Sequence, residues 1–336
     1  MGAWAAYRLA AMTHRVSVVI PTRNRHDLLD QALRALDRQR WTDFEVVVVD
    51  DGSSPPVADV FVDRVVAGRP LRVLRQEGNG AVRARLAGIA ATTGEILAFT
   101  DSDCEPQPGW LEAAVRRIDG GADLVAGRTS PFRPVAPLER AVSEAKGGLF
   151  PSCNLVVRRS IYEAVGGFDA SAAERWGFRW TPGAKGLGFG EDTLFGWTVA
   201  RSHRAVYEED ALVLHRVFPP DRGEWFSRSW QMAAFPALVR EVPELRGPLI
   251  RRGGQFSHRD RYGFYATVAA AVVTRDARVT GVVAAGWAAH RFQQTLRRAP
   301  LPLVDRVRAL PVQMAIDAVQ GTALVVGSIR ARTLVH

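Results

Sequence analysis

The chain has 336 residues, 47% apolar and 24% charged, which suits a soluble globular protein of one large domain or two. Its net charge of +9 rests almost wholly on arginine, Lys146 and Lys185 being the only lysines, and arginine favours phosphates, carboxylates and anionic membrane surfaces. Zinc-finger spacing, RNA-binding signatures and dense basic runs are missing, which argues against nucleic acid, and two cysteines are too few for a disulfide framework, so a reducing compartment is expected.

In chain order, residues 1–14 form a mildly apolar leader without a signal-peptide layout, expected to be loose. Val16–Ile20 is a β-branched run stopped by Pro21, a strand ending in a turn. His26–Arg40 sets Leu28, Leu29, Ala32, Leu33 and Leu36 on one helical face. Phe44–Val49 reads as a second buried strand, closed by Asp50-Asp51-Gly52-Ser53-Ser54, and Leu71–Leu74 as a third. Gly78–Ala91 reads as a helix entered through a glycine-rich turn, with Arg83 and Arg85 in its first turns, and the strand Ile96–Thr100 follows. This alternation predicts an α/β fold with a mostly parallel, doubly wound sheet and right-handed crossovers.

Past residue 105 the rhythm changes. Trp110–Ile118 is helical, Ala122–Ala126 is a strand, and Arg159–Val165 is a helix stopped by Gly166-Gly167. Residues 171–190 carry Trp176, Phe178, Trp180 and Phe189 among glycines, which predicts a long functional loop, mobile without ligand. Asp192–Ser202 is a helix, and Ala205–Leu214 contains a strand ending at His215. From about residue 222 the chain is helical: 222–242 broken at Pro236, apolar segments 266–273 and 279–289, and a tail over 303–332. No uninterrupted apolar run reaches about 18 residues, so a spanning helix is not indicated. The stripes of these helices fit core packing or self-association and membrane contact about equally. The domain reading is a leader, an α/β domain over 15–221 and a helical region over 222–336.

The chemistry concentrates where strands end. Ile96–Thr100 stops in Asp101-Ser102-Asp103, and carboxylates at that end of a strand face the crevice where α/β sheets bind ligands. Hard oxygen donors there suit Mg²⁺ or Mn²⁺, and such an ion can bridge a diphosphate; the plainer alternative is a pair of turn aspartates. Three further segments stand beside it: Val18-Val19-Ile20-Pro21-Thr22-Arg23-Asn24, Val48-Val49-Asp50-Asp51-Gly52-Ser53-Ser54 and Gly190-Glu191-Asp192-Thr193-Leu194. In this order and at these intervals they resemble the family 2 glycosyltransferases of the GT-A fold, bacterial type, over roughly residues 16–220.

That resemblance implies an inverting transfer of sugar from a nucleotide-diphospho-sugar, with a UDP- or GDP-type base, onto a hydroxyl of a glycan, lipid-linked or small-molecule acceptor. It assigns the donor to Pro21, Thr22, Arg23, Asp51, Arg85, Asp101 and Ser102, with Asp51 on the base and Arg85 facing the diphosphate. It assigns the divalent metal, Mn²⁺ or Mg²⁺, to Asp103, Asp101 and His215. Asp192 is the implied general base, because an acceptor hydroxyl needs a carboxylate to take its proton; Glu191 is the runner-up. Asn154, Asp169 and Trp180 are placed in the acceptor or sugar pocket. A cytoplasmic enzyme is expected, with membrane-surface contact and homo-oligomerisation both open for its tail. A nucleotidyltransferase would want a glycine-rich loop with a basic residue after the first strand, and a dehydrogenase Gly-x-Gly-x-x-Gly; Pro21–Asn24 supplies neither. A catalytically silent membrane-surface binding module would not need intact acids at 51, 101, 103 and 192.

Overall fold

The computed structural model describes residues 14–136, 138–144, 148–176, 190–247, 259–298 and 302–335. The expected leader lies outside them apart from His14, and so do residues 177–189 of the expected mobile loop, Trp180 included. The chain divides into two units, the first comprising Met1–Ser130, Ser143–Ala172 and Arg179–His215, the second Pro131–Val142, Ala173–Phe178 and Arg216–His336.

The first unit opens with β1 (Val16–Thr22), α1 (His26–Asp37), β2 (Phe44–Asp50), α2 (Val57–Val60), a small hairpin of β3 (Val65–Val66) and β4 (Arg69–Pro70), and β5 (Arg72–Arg75). It continues through α3 (Ala81–Ala90), β6 (Ile96–Thr100), β7 (Cys104–Pro106), α4 (Trp110–Asp119), β8 (Leu124–Pro131) and β9 (Asn154–Arg158). After α5 (Arg159–Ala164) comes α6 (Ala172–Arg175), all but its first residue in the second unit, and the first unit resumes with α7 (Glu191–Ala200) and β10 (Ala205–His215). Eight strands make one sheet in the order β5-β2-β1-β6-β9-β8-β10-β7.

Every residue of β1, β2 and β6 is buried, so their side chains meet packing on both faces. That is why they read as continuous apolar runs rather than alternating ones. Val18 and Ile20 face a core built with Leu29, Leu33 and Leu36 of α1 and Trp110 and Leu111 of α4. Val19, Leu97 and Phe99 face the opposite core with Val82 of α3 and Phe195 and Val199 of α7. The strands β5, β2, β1 and β6 are parallel, as their spacing predicted. Beyond β6 the sheet turns antiparallel: Thr100 pairs with Asn154 of β9, and His215 of β10 with Cys104 of β7. β7 and β9 were not expected as strands. Because β2 and β6 flank β1, the crevice at the carboxyl ends of these three strands is the ligand site such a sheet offers.

The second unit holds α8 (Arg222–Gln231), a 3₁₀ turn Met232–Ala234, α9 (Phe235–Glu241), α10 (Arg259–Thr274), α11 (Ala277–Arg298) and α12 (Leu303–Ala331). The break expected at Pro236 falls at 232–234, and Pro236 sits in the first turn of α9, where a missing N–H removes no helical bond. With 29 residues and an 18-residue stretch of mean hydropathy 1.4, α12 is by length and composition able to cross a membrane, although the sequence contains no uninterrupted apolar run of that length. Its buried face carries Gln313, Asp317 and Ser328, and Asp317 accepts a hydrogen bond from Arg291 Nη2 at 2.9 Å within an ion pair whose closest atoms are 2.8 Å apart. This buried ion pair ties that face of α12 to α11.

Candidate active site

The first two motifs are tied together at the ends of β1 and β2. Pairing of β1 with β6 ends at Val19, so Pro21 continues the strand without removing a bond on that side. Asn24, left-handed at φ 52, donates its N–H to Ser53 Oγ (2.9 Å) and accepts from the Ser54 N–H at Oδ1 (2.8 Å). The two adjacent aspartates have separate tasks. Asp50 accepts from the Ser53 and Val57 N–H groups at 2.7 and 3.0 Å and pairs with Arg75 at 2.6 Å. Its carboxyl stays below the usual range because these partners outweigh its burial, the largest single influence. Asp50 therefore closes the β2 turn.

Asp51, also buried, binds the turn that enters α3: Oδ1 accepts from Gln76 Nε2 (2.6 Å) and the Asn79 N–H (2.7 Å), and Oδ2 from the Gly80 N–H (2.9 Å). Gly80 holds φ 90, a backbone that a side chain would strain. A carboxylate offers about four acceptor sites, so Asp51 keeps one for another N–H. Beside it, the buried Thr22 Oγ1 has no hydrogen-bond partner among the described residues. Arg23 is exposed, and a Cβ built on Gly78 would lie 3.5 Å from its guanidinium.

Arg85 does not face outward. It is 4% exposed, and its Nη2 donates to Asp101. Burial opposes its charge, but Asp101, Glu191 and Asp192 together raise its pKa. One buried guanidinium thus lies within electrostatic reach of carboxylates from the β6 end and from the start of α7. Arg85 was expected to face a diphosphate; here its guanidinium is buried against Asp101.

Asp103 and His215, 112 residues apart in the sequence, are brought together by the β7–β10 pairing. Asp103 Oδ1 stands 3.7 Å from His215 Nε2, while Oδ2 receives Arg25 Nη1 at 2.5 Å. Cys104 Sγ lies 3.7 Å from the same Oδ1, and the three donors lie within 4.8 Å of one another, all buried. Two ligands each about 2.1 Å from an ion can stand up to about 4.2 Å apart, so Asp103 and His215 fit one divalent cation. Burial pushes the Cys104 thiol well up, which leaves it a neutral hydrogen-bond donor rather than a thiolate. Asp101 is engaged by Arg85 instead.

The acidic pair opens α7. Glu191 is buried, its Oε2 lacks a partner among the described residues, and burial pushes its carboxyl up to about 7, with Asp192 adding to the rise and Arg85 opposing it. Asp192, half-buried, is also raised by burial, yet its oxygens accept the Ser152 N–H at 2.9 Å and the Thr193 N–H at 2.7 Å, which favour the charged form. The Gly166-Gly167-Phe168-Asp169 turn anchors this helix: the Phe168 N–H donates to Tyr162 Oη (3.0 Å), and Phe168 and Tyr162 pack on Phe195 of α7 at 5.0 and 5.1 Å. A Cβ on Gly196 would fall 2.1 Å from Phe150, so α7 lies directly on the segment that supplies Ser152.

Other expected residues have structural work. Asn154 is fully buried: Nδ2 donates to the Arg128 and Ala211 carbonyls (2.8 and 2.9 Å), and Oδ1 accepts from Trp110 Nε1 (2.8 Å). Both its N–H groups are used, leaving none for a sugar. Asp169 accepts from the N–H and hydroxyl of Ser171, at 2.8 and 2.6 Å, as a turn residue does. Ser102 is buried between the two acids of its motif. Sequence reading missed Arg25, although it follows Arg23 by two positions, and Ser152, which acts through its backbone and leaves no signal.

The sequence profile "Glycosyl transferase family 2" matches residues 17–166. Glycosyltransferase AglE of Haloferax volcanii is 30% identical over 235 residues, 60% of this chain and 77% of that protein. The pre-mycofactocin glycosyltransferase of Mycobacterium tuberculosis is 31% identical over 317 residues, 87% of this chain but only 60% of that longer protein. Among solved structures, the mannosyltransferase PcManGT from Pyrobaculum calidifontis, in complex with GDP-Man and Mn²⁺, aligns over 98% of this chain and 93% of its own with a TM-score of 0.51 at 18% identity. The chain belongs to the family 2 glycosyltransferases and is an enzyme with the GT-A fold.

Proposed function

We propose that the enzyme transfers a sugar from a nucleotide-diphospho-sugar to an acceptor hydroxyl in a single inverting displacement. The observation that carries this reading is the pairing of Asp103 with His215 on one side of the crevice while Arg85 links Asp101 to the acids of α7. The free acceptor site on Asp51 suits a ring N–H of the base, the unpartnered Thr22 hydroxyl a base or ribose atom, and Arg23 the diphosphate. Asp103 and His215 would hold a divalent cation, Mn²⁺ ahead of Mg²⁺ because imidazole joins the oxygen donors. Such an ion supplies neutralisation of the charge that gathers on the departing diphosphate. The Mn²⁺ and GDP-Man bound by the Pyrobaculum mannosyltransferase support this donor chemistry.

In the reaction the acceptor oxygen bonds to the anomeric carbon, the bond from that carbon to the diphosphate oxygen breaks with its electron pair, and the acceptor proton passes to Asp192. Asp192 is favoured over Glu191 because it is half-buried and its charge is held by two backbone N–H groups, whereas Glu191 is enclosed. Glycans and lipid-linked alcohols are the proposed acceptor classes. The test joins NMR of the product's anomeric configuration to kinetics of Asp192→Asn. Inverted product from the parent is expected, with unchanged donor affinity and a loss of about 10²–10⁴-fold in turnover for the variant. Retained configuration, or turnover within a few-fold of the parent, would overturn it.

A further inference from the structure

Charge is unevenly placed along the chain. Residues 216–336 contain 18 arginines and 8 acidic residues, so this part alone is +10 while the rest is near neutral. Within it, α10 and α11 form a helical hairpin around Arg275 and Asp276. The base of the hairpin is well bound to α12: Arg261 donates to Gln320 (2.9 Å), Tyr265 Oη to the Gly321 carbonyl (3.2 Å), and Arg291 pairs with Asp317. Its outer part is a different surface. Every residue from 271 to 279 is exposed, including Val272 at 67% and Val273 at 80%, and Val282 beyond them at 73%.

Valine is a poor choice for a solvated helix on propensity alone, so an exposed run of it needs a covering. The polar groups at the tip indicate which kind. Asp276 is occupied as the cap of α11, its Oδ1 accepting the Arg278 N–H at 2.7 Å, which leaves the guanidinium groups of Arg275 and Arg278 as the outward charges. Apolar side chains flanked by cations complement a bilayer with anionic headgroups, and they would repel a second copy of the same basic surface. The apolar part of α10, residues 266–274, is about 13 Å long, less than half of a hydrocarbon core, so the hairpin cannot span. End-on insertion would also carry two guanidinium groups into hydrocarbon, where they are strongly disfavoured.

We propose that the outer α10–α11 hairpin lies along an anionic lipid surface, with Val272, Val273 and Val282 in the interface and Arg275 and Arg278 on lipid phosphates. The inference is independent of the chemistry assigned to the first unit. Flotation of the full chain with phosphatidylcholine vesicles, with and without phosphatidylglycerol, tests it, alongside sedimentation velocity without lipid. At least tenfold stronger partitioning is expected onto the anionic vesicles. Val272→Asp/Val273→Asp and, separately, Arg275→Gln/Arg278→Gln should each lose most of it while melting as the parent does, since all four positions are exposed. No binding to anionic vesicles, equal binding of parent and variants, or an oligomer that the valine substitutions dissociate without changing flotation would overturn the proposal.

Discussion

At the residue scale the site turns on Arg85, a buried cation among three carboxylates. Removing one partner from a buried charge pair typically costs about 3–5 kcal/mol, because the remaining charges stay buried without it. Arg85→Met is therefore expected to lower the melting temperature markedly near neutral pH, and less near about pH 5, where Glu191, raised to about 7, is protonated. Thermal melts at the two pH values check this; an equal loss at both would mean that packing, not charge, is Arg85's contribution.

Glu191 makes a second prediction with a defined sign. Its carboxyl is raised from 4.5 to about 7, so the folded state binds the proton more tightly than the unfolded chain. Its contribution to stability is full below the unfolded value and is lost as pH rises through about 7, with Asp192 acting in the same direction. Glu191→Gln should flatten the fall of melting temperature across that window and leave the variant more stable than the parent above it. An unchanged slope would contradict the burial that raises Glu191. Asp103 stood out because acids after an apolar run are a sequence-local signal, whereas His215 was singled out by the family resemblance alone. Cys104 beside them was not legible, since only the β7–β10 register brings it to His215.

At the element scale, α7 is the part that other elements must hold in place. Phe195, 2% exposed, joins it to Tyr162 and Phe168. Phe195→Ala is expected to cost about 3–5 kcal/mol and to reduce turnover further at temperatures where the protein remains folded, because the cavity loosens the helix that starts at Glu191. Denaturant unfolding together with single-turnover kinetics checks this; lost stability with full turnover would remove α7 packing from the account of the site. The parallel half of the sheet was legible because its strands are buried on both faces. The antiparallel half was less so: β7 is three residues long, and β9 follows Cys153 without a turn signal that the eye can separate from a loop. Asn154 shows the same limit, since its burial beside Trp110 depends on pairing between distant strands.

At the scale of the whole molecule, the two units divide the chemistry from the charge. The acidic motifs lie in the first unit, and the excess of arginine lies in residues 216–336. The family was legible from four short motifs because each sits at the end of a strand or the start of a helix, where local sequence specifies backbone geometry. The helical region offered only periodicity, which core and interfacial helices share. The central claim, a donor held through a divalent cation at Asp103 and His215, is tested most directly by calorimetry of UDP- and GDP-sugars with and without Mn²⁺, on the parent and on Asp103→Asn. Mn²⁺-dependent binding of at least one donor by the parent, lost in the variant while its melting temperature is kept, is the expected result. Donor binding that is the same with and without Mn²⁺, or that survives Asp103→Asn with its Mn²⁺ dependence intact, would contradict it.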